Sequence, residues 1–282
     1  MLAILGGLGA AVAWATTTLC SARSSRLIGP AAVLSWVMAV GFLVTAPVAI
    51  AGGVPAQLHG AVIGWLVLAG TGNVAGLLLT YAGLRTGKVA VVAPIVSTEG
   101  AIAAVLAVAA GEHIAPRAAA LLAVVATGVV LTAVARDEPG PVALDERRPV
   151  LLAVAAALAF GSSLYATGRA GTRLPVFWAV LPPRVVGVAA VTIPLAVASR
   201  LWLTRRALPL VVTGGLAEVV GFVSFTLGSR HGLAVSAVLA SQFAAISAVV
   251  AFLIFGERLV RVQVVGAVLI VVGVAALSAL QS

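Results

Sequence analysis

Three charged side chains fall well inside apolar runs long enough to cross a bilayer: Glu99, Arg184 and Glu218. A charge near the bilayer centre costs about 2.5–3.5 kcal/mol on insertion scales, so such residues face a bundle interior or a wet cavity. The chemistry they offer is substrate binding, ion pairing or proton carriage. Glu99 has the densest surroundings, with Pro94, Ser97, Thr98 and Gly100 close by. On a helical wheel it shares a face with Val92, Ile95, Val96, Ile102, Ala103 and Leu106, which is otherwise apolar. Desolvation favours the neutral acid there, and a carboxyl poised between its two forms can carry a proton across a membrane. Arg184 directly follows Pro182-Pro183. Prolines leave backbone carbonyls free, so the guanidinium serves a substrate, a buried pair with either Glu, or the local break. Asn73, Gln242, Trp14 and Tyr165 are the other candidates for a polar or aromatic cavity wall, with Tyr81 a weaker one. Trp36, Trp65 and Trp178 lie near the ends of apolar runs and read as interface anchors.

These side chains must be positioned by elements suited to lipid. Of the 282 residues, 62% are hydrophobic and 9% charged, against about 25% charged in soluble domains. The mean hydropathy is +1.21. The formal charge of +9 does not point to nucleic acid, because the basic residues sit singly or in pairs between apolar runs, as membrane flanks do. A single cysteine, Cys20, excludes a disulfide framework and a Cys-based metal cluster. No cofactor or metal is called for: Gly70, Gly72 and Gly76 lack the Lys-Ser/Thr and the strand of a phosphate loop.

Cutting at charges and Gly/Pro clusters gives ten apolar runs, near 2–20, 30–51, 60–84, 88–110, 117–135, 150–168, 175–199, 208–228, 232–255 and 259–280. The first lacks the basic start of a signal peptide and reads as a spanning helix. Segment 136–149 holds four of the eight acidic residues and three prolines. It divides the chain into halves 1–135 and 150–282 of five helices each. Gly83, Arg85, Gly87, Gly111 and Glu112 recur 145 positions later as Gly228, Arg230, Gly232, Gly256 and Glu257, which indicates an internal repeat. Five is odd, so a repeated second half starts on the opposite side of the membrane. The expected fold is all-α, with ten transmembrane helices in two inverted five-helix repeats. The paired Gly-Glu ends read as local caps. The odd-numbered connectors hold twelve Lys and Arg and the even-numbered ones four, which places the odd connectors in the cytoplasm.

On Trp14 in the first helix, Tyr81-Ala82-Gly83-Leu84 before the fourth, Arg184 early in the seventh, and the Gly111-Glu112 and Gly256-Glu257 ends, the chain resembles the drug/metabolite transporter superfamily, specifically its EamA-like ten-helix members. That resemblance covers essentially the whole chain. It implies a secondary active transporter in a bacterial-type inner (plasma) membrane, often an exporter of amino acids, metabolites or drugs, commonly proton-coupled and not an enzyme. It also implies a central cavity, which on this chain points to Trp14, Asn73, Glu99, Tyr165, Glu218 and Gln242. Members often carry Pro about thirteen residues before the Gly-Glu glutamate; here those positions are Glu99 and Ala244. They are generally drawn with both termini in the cytoplasm, opposite to the charge count. The expected partners are a small-molecule solute, the lipid bilayer and protons, with a homodimer left open. The alternative is a lipid-carrier flippase or a non-transporting membrane partner. A flippase needs a cation reaching into a phosphate-binding groove, and Arg184 is the one residue available for it.

Overall fold

In hydrocarbon each backbone N–H and C=O must find a partner within its own segment, which favours helices. The computed structural model describes residues 1–86, 92, 95–133, 147–255 and 261–280, and the regular structure among them is helical throughout. In chain order the helices are α1 (Leu2–Ile28), α2 (Pro30–Ala51), α3 (Ala61–Thr86), α4 (Glu99–Ala109), α5 (Pro116–Ala133) and α6 (Arg147–Gly171). A broken α7 follows, with pieces Val176–Val180, Pro182–Gly187 and Ile193–Val197, the last two joined by a π-helical turn, Val188–Thr192. Then come α8 (Leu208–Ser229), a broken α9 (Leu233–Ala240 and Phe243–Phe255) and α10 (Arg261–Leu280).

Among the described residues six of these, α1, α2, α3, α6, α7 and α8, are long and apolar enough to cross a membrane. Four shorter apolar helices make up the rest: Glu99–Ala109, Pro116–Leu131, Leu233–Ser247 and Val264–Leu277. Many apolar side chains point outward; Leu43, Val197 and Val271 are 70%, 80% and 68% exposed. An apolar exterior of that extent suits lipid, and the chain is an integral membrane protein.

The packing follows a simple rule. Helix α1 lies along α8 and α3 along α6; α2 packs on α8 and α3 on α7; α1 meets α9 and α6 meets α4; α5 pairs with α10 and α4 with α9. Exchanging each helix for the one five places away returns the same set of pairs. Small residues allow these approaches in lipid. At Gly6 an added Cβ would lie 2.4 Å from the Gly228 Cα, and at Gly76 it would meet the Phe160 ring at 2.7 Å.

Local chemistry explains where the helices stop and break. Gly111 ends α4 with φ of 96°, which glycine adopts freely, and Glu112 N then bonds the Ala107 carbonyl at 3.0 Å. In α7, Pro194 has no N–H to give back to the preceding turn, and the helix widens there into its π-helical turn. The indole N–H groups of Trp36, Trp178 and Trp202 donate to the carbonyls of Trp202, Gly53 and Ile28 respectively. Trp36 and Trp178 thus tie connectors down, a tighter job than the interface anchoring expected of them.

Candidate functional site

The expected continuous fourth helix is corrected by the structure. Residues 95–96 are helical, Ser97-Thr98 form a turn, and Glu99 is the first residue of α4. Thr98 Oγ1 donates to the Ile95 carbonyl at 2.7 Å and Thr98 N to the same oxygen at 3.1 Å. A hydroxyl that bonds its own preceding turn competes with helix propagation. Helix α9 breaks in the same way at Ser241-Gln242: Ser241 Oγ donates to the Val238 carbonyl at 2.8 Å and Gln242 N to Leu239 O at 3.3 Å. Thr98 N to Ile95 O and Ile102 N to Thr98 O reappear as Gln242 N to Leu239 O and Ile246 N to Gln242 O, displaced by 144 residues. The register at the break is therefore one residue shorter than at the Gly-Glu ends. The counterpart of Glu99 is Phe243, not Ala244. The proline expected to matter here, Pro94, lies outside the described residues, as do Gly256 and Glu257.

The two breaks touch. A Cβ on Gly100 would lie 2.4 Å from the Ala237 carbonyl oxygen and 2.6 Å from Ser241 Oγ. Glu99 is buried at this junction with 6% exposure, and its carbonyl faces Gly161 of α6. Gly100 therefore meets the polar turn of α9, while Ile102, on the face that looks apolar on a helical wheel, packs against Gly161 of α6.

Glu218 of α8 connects Glu99 to the rest. Its carboxyl group lies within electrostatic reach of Glu99, Tyr81 and Arg184. Arg184 is fully buried. Its Nη1 donates to the Val180 carbonyl and its Nη2 to the Glu218 main-chain carbonyl, each at 3.1 Å. The guanidinium carbon lies 4.3 Å from the centre of the Phe222 ring, a cation–π contact. Arg184 N bonds Leu181 O in the tightened turn after the prolines, so Val180 O is left for the side chain. The local-break role open in the sequence is therefore filled. A guanidinium enclosed in this way is not offered to a lipid-facing groove, and the flippase reading loses the cation that the sequence put forward for it.

Replacing Arg184 by Met should cost about 1–3 kcal/mol, the range for leaving buried hydrogen-bonding groups unsatisfied. It leaves the main-chain carbonyls of Val180 and Glu218 without this donor. Lys should not rescue it, because one ammonium cannot reproduce the planar fork. Thermal unfolding in detergent checks both, and a wild-type melting point for Arg184→Met would contradict this structural role.

Aromatic side chains close the centre. Trp14 packs edge-on to Phe222 at 5.0 Å and to Phe243 at 6.4 Å, and lies 6.2 Å from Phe225. Tyr165 belongs to the same buried cluster and meets Trp65 edge-on at 5.6 Å. Trp65 was expected at the interface, so that expectation is corrected: it is a wall of the core. Gln242 adjoins Phe243 and is buried, as is Asn73 in α3. Buried polar atoms nearly always find partners. Among the described residues Trp14 Nε1, Asn73 Oδ1, Thr167 Oγ1, Arg184 Nε and Gln242 Nε2 have none, and all but Thr167 belong to residues singled out from the sequence.

Of the sequence candidates, the structure joins Glu99, Glu218 and Arg184 through electrostatics and ring contact, and Trp14 and Tyr165 through one aromatic cluster. Gln242 joins them through the α9 break. Asn73 shares with them only burial and an unpartnered oxygen. Tyr81 and Trp65 complete the group, and a Tyr-Ala-Gly signal had pointed to the first.

A cavity of about 410 Å³ lies at one end of the molecule and reaches Tyr165 of the aromatic cluster. It is lined by Glu112, His113, Arg169, Arg230 and His231 at the rim and by Tyr165 and Leu233 below. Both Glu112 carboxylate oxygens accept from Ala234 N, at 3.2 and 3.3 Å, at the start of α9. The Gly-Glu end of the first half thus caps the Gly-x-Arg-x-Gly end of the second. Glu112→Ala should cost about 0.5–2 kcal/mol, as lost helix caps do, read as a lowered melting temperature in detergent.

The EamA-like transporter family matches residues 1–134 and again residues 147–279. The chain belongs to the EamA-like transporter family. EamA-like proteins are membrane transporters of small solutes, and the apolar helices and enclosed polar centre described above fit that class. No curated protein matches this EamA-like chain. A solved structure described as "Crystal structure of protein" aligns with a TM-score of 0.81, covering 99% of this chain and 96% of its own, at 19% identity. That likeness speaks for the fold alone.

Proposed function

We propose that this protein is a secondary active transporter, working as an exporter, of a small metabolite, amino acid or drug-like solute, with protons as the coupling ion. Its halves, 1–135 and 150–282, act as inverted five-helix repeats joined by the 136–149 linker. The packing set that survives exchange of helices five places apart supports this arrangement, and so does the recurrence of the same broken-turn bonds in α4 and α9. Transporter sites lie at the interface of such repeats, where discontinuous helices leave free backbone ends.

The observation that carries the reading is the meeting of the two breaks at Gly100 and Ser241, with Glu99 buried beside them. In this reading Glu99 carries the proton, Glu218 and Arg184 fix the charge around it, and Trp14, Tyr165, Asn73 and Gln242 bind the solute. The test is reconstitution into liposomes with a pH gradient and an internal pH dye. Adding the transported solute from a panel of amino acids, polyamines, nucleosides and cationic drugs should collapse the gradient in a protein-dependent way. Solute flux with no proton movement under any gradient would remove the coupling. No flux of any panel member would remove the transporter reading of this site.

A further inference from the structure

The cavity at the α4, α6 and α8 ends has a charge pattern that neither the repeat nor the central site explains. Its one carboxylate, Glu112, is committed to Ala234 N. Its two guanidiniums have no ion pair among the described residues. Arg230 donates through Nε to the Gly171 carbonyl at 2.7 Å and through Nη2 to the Leu174 carbonyl at 2.9 Å, which holds it in place without cancelling its charge. Arg169, half-buried one α6 turn beyond Tyr165, has no ion pair among the described residues. His113 and His231 stand at the rim. The α9 N-terminus is already occupied by Glu112, so the guanidiniums alone supply the attraction. Arg pairs with carboxylate and phosphate groups by parallel N–H···O bonds. A volume of about 410 Å³ lies within the roughly 300–1,000 Å³ of small-molecule sites.

We propose that this cavity is a vestibule that selects acids. A solute entering or leaving the centre is held by a carboxylate or phosphate group paired to Arg169 and Arg230, with its remaining body against Tyr165 and Leu233. The inference rests on the transporter reading and narrows its substrate class to organic anions and zwitterions, against amines and neutral compounds. Arg230 is held by backbone carbonyls and acts as a fixed element. Arg169 is free to move with the solute.

The test is thermal unfolding of the full chain in nanodiscs of phosphatidylcholine, titrated with benzoate, succinate and inorganic phosphate, and with benzamide and succinamide as neutral matches. The acids should raise the melting temperature saturably and the amides should not. Arg169→Gln should weaken the acid effect by about tenfold or more, the loss typical of a hydrogen bond to a charged group. Equal effects of acids and amides, no effect of any acid, or an unchanged acid affinity in Arg169→Gln would each overturn the proposal. Nanodiscs containing phosphatidylglycerol separate the sources of the anion: stabilisation by that lipid alone, lost in Arg169→Gln, would assign the vestibule to a headgroup and overturn solute selection. Proton-coupled flux of an amine without acid binding would sink this inference and leave the transporter standing. Acid binding with no flux of any solute would do the opposite.

Discussion

Replacing Glu99 by Gln is expected to leave exchange of labelled solute across the membrane intact and to abolish the proton movement linked to it. The amide keeps the shape and hydrogen-bonding reach of the side chain at the α4–α9 junction, so the packing around Gly100 and Gly161 is undisturbed. What it loses is the ability to bind and release a proton. In the proposed reading Glu99 is the carrier: the buried guanidinium of Arg184 has Glu218, and not Glu99, within its electrostatic reach. Arg184 bonds the Glu218 main-chain carbonyl and lies over Phe222 of the same helix, which ties it to α8 rather than to α4. Solute-driven acidification in Glu99→Gln proteoliposomes should fall to the level of protein-free liposomes. Coupled transport with wild-type stoichiometry would show that the proton travels by another group.

The second large effect is expected at Gly100. A valine there would drive its Cβ to 2.4 Å from the Ala237 carbonyl oxygen and 2.6 Å from Ser241 Oγ. Those neighbours are backbone and a short side chain bonded to Val238 O, so neither can swing aside. Overpacking typically costs about 1–3 kcal/mol; with no flexible neighbour to absorb it, Gly100→Val should lie at the top of that range and stop transport. Gly64 supplies the control, since an added Cβ there meets nothing within 4 Å. Helical Gly→Ala changes at open positions gain about 0.5–1 kcal/mol, so Gly64→Ala should melt at or above wild type. Equal melting temperatures and equal transport for the two variants would mean that the breaks do not form a rigid junction.

Much of the helical pattern was legible in the sequence because lipid imposes a simple rule: apolar runs of sufficient length, interrupted at charges and glycines. Arg184 as the partner of a proline-broken turn was legible for the same reason, since the Pro182-Pro183 pair announces free carbonyls. Glu112 was legible as a cap, although its target was not. Ala234 lies in the other half, and only the folded chain brings it near. The breaks in α4 and α9 escaped because Ser97-Thr98 and Ser241-Gln242 are compatible with an uninterrupted helix. Their hydroxyl-to-carbonyl bonds decide otherwise, and a one-residue change of register hid the correspondence of Glu99 with Phe243. Trp65 escaped because a Trp near a helix end looks the same whether it faces headgroups or Tyr165. The vestibule escaped because its wall is assembled from three connectors far apart in the chain.

The central claim is that a single buried site, where the two halves meet, is opened to each side of the membrane in turn. It can be tested with a single thiol. In a Cys20→Ser background, Ser241→Cys changes one atom at the junction of the breaks. A membrane-impermeant thiol reagent is then applied from either face of oriented vesicles, with solute gradients of both directions. The account predicts that Cys at this position reacts from one face under one gradient and from the opposite face when the gradient is reversed. Reaction from one face only, whatever the gradient, would contradict it.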